Sequence, residues 1–167
     1  SFIFTGAVSL IIFVITIIPF RGWPDLPFLV SKYYTTFSSY PYAALNTFNL
    51  FSMVGGNFVD VNKNFLFLSF NIWGTIGIGI SIIGAAVALW LSKDKYSLFL
   101  ISGIYSFSVY MLGAKMHERY SFVGIMLILV AYVVYKKNEM FKISTILNVI
   151  YFINIQYALL ALSNKGD

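Results

Sequence analysis

Apolar residues fill this chain in long blocks, without the strict alternation of a half-buried strand or the single stripe of a soluble helix. A bilayer crossing takes about 20 mostly apolar residues. Five stretches reach that length or come near it, at about 2–20, 65–91, 96–114, 118–135 and 142–162. None carries a regular polar face, so lipid contact or burial on all sides is expected. The pattern predicts an all-α fold, a polytopic transmembrane helical bundle of about five spans. Gly74, Gly77, Gly79 and Gly84 in the second span offer small surfaces for close helix packing, or are simply the glycines common in membrane helices.

Residues 21–64 break the apolar pattern. A connection longer than about 12–15 residues is usually functional or disordered. This one is rich in aromatic residues, among them Trp23, Tyr33, Tyr34, Tyr40, Tyr42, Phe48 and Phe51, and carries no charge between Tyr33 and Val59. Tyr and Trp favour the headgroup zone of a bilayer. Pro41 suits a helix start. Asn46, Asn49 and Ser52 follow at i, i+3 and i+6, with Leu45, Phe48, Phe51 and Val54 between them. This spacing predicts a helix over 42–54 lying at the interface, ended by Gly55-Gly56. A covering loop with no chemistry fits the same residues.

Composition agrees with the pattern. The 167 residues are 59% hydrophobic and only 10% charged, against about 25% charged in a soluble domain. With no cysteine, disulfides and cysteine–metal sites are excluded. The net charge of +5 comes from residues scattered between apolar runs, which is not the basic stripe of a nucleic-acid binder. Ser1 opens straight into an apolar run with no basic n-region or cleavage site, so it does not read as a signal peptide. It reads as the C-terminal transmembrane part, residues 1–167, of a larger membrane protein. The turns 92–95 and 136–142 hold five lysines in eleven residues. Lysine-dense short loops are normally cytoplasmic. Residues 21–64, the turn 115–119 and the tail 163–167 are therefore expected to face outward.

That turn concentrates the chemistry. Lys115, His117, Glu118 and Arg119 fall within five positions, and His117 is the only histidine. The fourth span from Tyr120 to Tyr135 has 16 residues, about 24 Å of helix. That is short for a core of about 30 Å, so the helix is expected to start near His117. A helix start offers free N–H groups and a positive partial charge, which suits an anion. Arg119 adds a planar fork for phosphate, Lys115 a point charge and His117 a donor that titrates near neutrality. Glu118 can steady His117 or Arg119. A cluster that only anchors helix ends, with its cations reaching for the headgroups, fits as well. Adjacent His and Glu do not point to one side of a helix, which argues against metal. No G-x-S-x-G nucleophile motif is present.

"KMHERYSF", preceded by "YPYAALNTFNLFSMVGG", resembles the membrane-embedded glycosyltransferases of the C-type fold, in particular bacterial mannosyltransferase-like members. Those carry an "MHERY" segment at the outer end of a late helix, after a "NAFN"-like segment. Here the latter reads Asn46-Thr47-Phe48-Asn49, with Thr in place of Ala. The resemblance implies an enzyme of the bacterial plasma membrane that takes a sugar from a polyprenyl-phosphate carrier on the outer face. The acceptor would be a glycan, a wall polymer or a protein. It implies Lys115, His117 and Arg119 as donor-phosphate ligands, supported by Glu118 and Tyr120. Asn46 and Asn49 would contact sugar hydroxyls or position the loop. The family's acidic base and any divalent metal ligands belong to a first outward loop that these residues do not match. Asp25 and Asp60 are outward acids outside that motif. A lipid-linked glycan flippase and a non-catalytic membrane module are the competing readings.

Overall fold

The computed structural model describes residues 2–21, 26–94 and 96–163. Trp23, Pro24, Asp25, Lys95 and the tail beyond Ser163 lie outside them. The chain forms two compact units, residues 1–40 and 41–167.

The first unit holds α1 (Phe2–Arg21) and α2 (Leu26–Ser38). The first is a helix over the stretch expected as the first span, but among the described residues its apolar part, Ile3–Thr16, is shorter than a crossing. The second is a helix that the loop reading of 21–64 did not foresee. Within the unit Phe13 and Tyr33 meet with ring centroids 6.4 Å apart.

The second unit holds four long helices: α4 (Phe70–Leu91), α5 (Ser97–Leu112), α6 (Ser121–Tyr135) and α7 (Asn138–Ser163). A 3-10 turn, Glu118–Tyr120, leads into α6 with His117 as its N-cap, so this helical run begins where the length argument placed it. Among the described residues, three helical runs are long and apolar enough to cross a membrane: Phe70–Leu91, Glu118–Tyr135 and Asn138–Ala161. Ser97–Leu112 is apolar but shorter.

Glycine decides how closely the helices pack. A Cβ on Gly74 would lie 2.5 Å from the Ala114 nitrogen, and one on Gly77 2.5 Å from the Leu112 carbonyl oxygen. These two positions let α4 lie against the end of α5. Gly79 and Gly84 have nothing within 4 Å of such an atom, so the close-packing role expected of all four belongs to two. Between α5 and α6, a Cβ on Gly103 would meet Ile128 and one on Gly124 the Phe107 backbone, both at 2.9 Å. Such small-residue crossings let membrane helices gain dispersion contact without a hydrophobic driving force.

The segment 41–69 departs most from expectation. There is no helix over 42–54. Residues 44–45 form a strand, β1 (Ala44–Leu45), and only Leu50–Met53 are helical, as the single turn α3. The polar stripe at 46, 49 and 52 was therefore misread as one helix face. Asn46 adopts φ +49°, a left-handed conformation that Asn tolerates better than most residues and that breaks a helix. Asn49 is an N-cap whose side chain accepts from the Ser52 N–H, the position asparagine favours. The stop at Gly55-Gly56 holds. Gly55 sits at φ +80°, and the Gly56 N–H donates to the Phe51 carbonyl at 2.7 Å.

The second span also starts later than expected, at residue 70. Residues 64–69 fold back as a hairpin, β2 (Asn64–Phe65) against β3 (Leu68–Ser69). Ser69 then caps α4 by accepting from the Ile72 N–H. Behind the hairpin, Ala43, Ala44, Phe51, Val61 and Phe70 make a small core, with Trp73 and Ala114 packed on it. Phe70 meets Phe51 edge-on and Phe65 in a stack, each with centroids 5.6 Å apart. The segment is a folded cap on the helix ends.

Candidate functional site

The centre of the cap is the strand 43–45. On one edge the Ala43 N–H donates to the Val59 carbonyl at 2.7 Å, and the Phe58 N–H donates to the Ala44 carbonyl at 3.0 Å. On the other edge lies β4 (Met116–His117). It pairs with β1 in parallel, Ala44 opposite Met116 and Leu45 opposite His117. The Lys115 N–H donates to the Ala43 carbonyl at 2.9 Å. Ala43 and Ala44, at the centre of this pairing, are fully buried. The charged turn and the asparagine segment, some seventy residues apart in sequence, are thus joined by backbone pairing.

Lys115 turns the chain at φ +62°, between the end of α5 and β4. His117 is partly buried, its ring edge-on to Tyr120 with centroids 5.3 Å apart. Its Nδ1 lies 3.9 Å from Glu118 Oε2. Burial pushes the His117 imidazole below its usual range and nearby Arg119 pushes the same way, while Glu118 opposes them. Arg119 is exposed at the mouth of the turn. The N-cap His117 makes no side-chain capping bond. The turn therefore presents an exposed guanidinium beside an imidazole steadied by a ring and a carboxylate, at a helical N-terminus.

The asparagines serve the framework. Asn49 is fully buried. Its amide donates to the carbonyls of Tyr110 and Gly113, both at 3.4 Å, while its Oδ1 accepts from the Ser52 N–H at 3.0 Å. It fastens the segment to the end of α5, just before the charged turn. Of the two roles open to it, positioning the loop is the one its geometry performs. Asn46 is also buried. Its N–H donates to Asn57 Oδ1 at 2.8 Å, and its own Oδ1 is buried with no hydrogen-bond partner.

One residue that sequence reasoning passed over holds the arrangement together. Asn154 on α7 is 1% exposed. Its Oδ1 accepts from the Phe48 N–H at 3.1 Å and from the Tyr110 hydroxyl at 3.0 Å. Its Nδ2 donates to the Asn46 carbonyl at 2.7 Å. One amide therefore joins α7, α5 and the 46–48 segment. The signal was present: a polar residue deep in an apolar span, with Ser144 and Ala158 also buried on that helix, faces protein and not lipid. Thr47 is buried as well, its hydroxyl toward Tyr110 without a hydrogen bond of regular geometry.

Among the described residues no three His, Cys, Asp or Glu side chains gather into a metal-binding group. Asp60 is exposed and its Oδ1 accepts from the Asn62 N–H at 2.7 Å, the habit of an aspartate that shapes a turn. Asp25 lies outside the described residues. No family model, curated protein or solved structure matches the chain.

Proposed function

We propose that this chain is part of an integral-membrane glycosyltransferase. It takes a sugar from a polyprenyl-phosphate carrier on the outer face of a bacterial plasma membrane and passes it to a glycan, wall polymer or protein. In this reading α1 and α5 also cross the bilayer, giving five spans, and the cap and charged turn lie outside.

The observation that carries the reading is the pairing of β1 with β4. The two segments on which the resemblance to C-type glycosyltransferases rests fold into one structure, and that structure ends in an exposed Arg119 beside His117. As the glycosidic bond to the carrier breaks, negative charge grows on the leaving phosphate. Donors held ready for that charge lower the barrier. Arg119, His117, Lys115 and the N–H groups opening the helical run supply them, with Glu118 and Tyr120 holding the imidazole. Two apolar clefts add support for a lipid carrier. One, about 280 Å³, is walled by Leu50, Phe51, Val54 and Trp73. The other, about 330 Å³, runs between α4 and α5. Ile80 and Leu112 line both, so the two clefts are neighbours. A flippase gains no such support, because Phe70–Leu91, Ser97–Leu112 and Ser121–Tyr135 contain no ionisable acid, base or histidine to mark a path. The catalytic base is not assigned to any residue of this chain.

Arg119→Ala and His117→Ala, made in the full chain and tested against a panel of polyprenyl-phosphate sugars, are expected to cut transfer about 100-fold each. Insertion and melting behaviour should stay near wild type. Near-normal turnover in both variants sinks the reading.

A further inference from the structure

A cavity of about 450 Å³ is lined by Thr47, Phe48, Ser52, Met53, Asn57 and Tyr157. Its size falls within the range of about 300–1,000 Å³ typical of small-molecule sites. Its chemistry differs from that of the two apolar clefts. Four of the six residues carry hydrogen-bonding side chains, and none carries a formal charge near neutral pH.

The polar groups are set for an outside partner. Asn57 Oδ1 is taken by the Asn46 N–H. A backbone N–H must face an acceptor, so this bond fixes the amide's orientation and leaves Nδ2 as the donor. Ser52 Oγ is buried with no hydrogen-bond partner. Buried hydroxyls in folded proteins are almost always paired, and an orphan calls for an explanation. Ser52 is also one of the residues that line the cavity. The aromatic wall is Phe48 and Tyr157, centroids 5.6 Å apart and tilted by 45°. Both stay partly open, at 38% and 47% exposure. Aromatic faces are electron-rich and attract the polarised C–H bonds on the face of a pyranose.

We infer that this cavity binds a neutral pyranose. Rings take the apolar face of the sugar, while Asn57, Ser52 and the Tyr157 hydroxyl take its hydroxyl groups. A uronic acid would enter without a cation to pair with it, and a protonated amino sugar without a carboxylate; either would be desolvated at a cost. Position adds to the case. Leu45, opposite His117 in the β1–β4 ladder, is two residues from Thr47 and three from Phe48, so the extended chain between them spans roughly 10 Å or less. Only the identification of the pyranose as a substrate sugar, from donor or acceptor, rests on the transferase reading.

The test uses the full chain in lipid nanodiscs and saturation-transfer NMR with methyl hexopyranosides. Methyl glucuronate and glucosamine serve as charged comparisons. Saturable binding of the neutral glycosides is expected, weaker for both charged sugars, and at least about tenfold weaker in Tyr157→Leu. Ser52→Ala is the sharper variant. Removing an orphaned buried hydroxyl should leave the melting temperature unchanged or raised, yet weaken binding about three- to tenfold. Undetectable saturable binding, or equal binding in both variants, overturns the inference. In a transfer assay, a raised KM for the polyprenyl-phosphate sugar in Tyr157→Leu points to the donor's ring, and a raised KM for the acceptor points to the acceptor's. Sugar binding without transfer refutes the transferase alone. Transfer with unaltered binding and KM in Tyr157→Leu refutes the pyranose site alone.

Discussion

Asn154 is the residue whose loss reaches furthest. Its amide satisfies the Phe48 N–H, the Asn46 carbonyl and the Tyr110 hydroxyl. Asn154→Leu keeps the volume close and removes the Asn154 partner from all three. An orphaned buried polar group costs about 1–3 kcal/mol, so a loss of at least about 2 kcal/mol is expected, read by chemical or thermal unfolding in detergent. Asn49→Ala removes a cap worth about 1 kcal/mol and frees two buried carbonyls. It should also slacken the charged turn, seen as faster hydrogen exchange at 113–118. His117 gives a pH dependence. Its folded-state imidazole sits below the usual value near 6.5 because of burial. As pH falls through 6.5 the unfolded chain takes up the proton first, so stability drops from there downward until the folded form is protonated too. Melting at pH 7.5 and 5.5 should show this fall, and His117→Gln should flatten it.

At the scale of elements, glycine geometry governs the second unit. Gly77 faces the Leu112 carbonyl, and Gly124 faces the Phe107 backbone. Backbone cannot step aside as a flexible side chain can, so Gly77→Leu and Gly124→Val should each push helices apart. Overpacking of this kind costs typically about 1–3 kcal/mol. Gly79→Ala and Gly84→Ala, with open space at the same atom, should be neutral. Parallel melting curves for the four variants check the contrast. The cap was harder to read. Pro41, the Asn/Ser spacing and Gly55-Gly56 looked like a start, a stripe and a stop of one helix. Each residue has a second local habit, and Asn46 and Asn49 follow it, one as a left-handed turn and one as an N-cap. Backbone pairing with 57–61 and 115–117 makes that alternative win, and no local pattern announces a partner seventy residues away.

At the scale of the molecule, the chain's lack of cysteine makes topology directly measurable. Single-cysteine variants at Lys93 and Lys137 should react with membrane-impermeant maleimide only after the cells are opened, and those at Asn62 and Lys63 in intact cells. The reverse pattern would overturn the outward placement of the cap and, with it, of the charged turn.

Hydropathy by itself determined the mostly helical architecture and roughly where the main apolar helices lie, because lipid and a buried core demand the same continuous apolar runs. It also located the charged turn, since four polar groups in a greasy chain stand out without any knowledge of contacts. Tertiary structure alone decided that Asn49 is a strap, that two glycines of four pack, and that the 44–45 strand lies beside 116–117. It also decided that Asn154, apparently one polar residue among many lipid-facing neighbours, is the knot between three segments. These are facts about which groups satisfy each other's hydrogen bonds across long separations. A sequence states which groups need partners; only the folded chain chooses them.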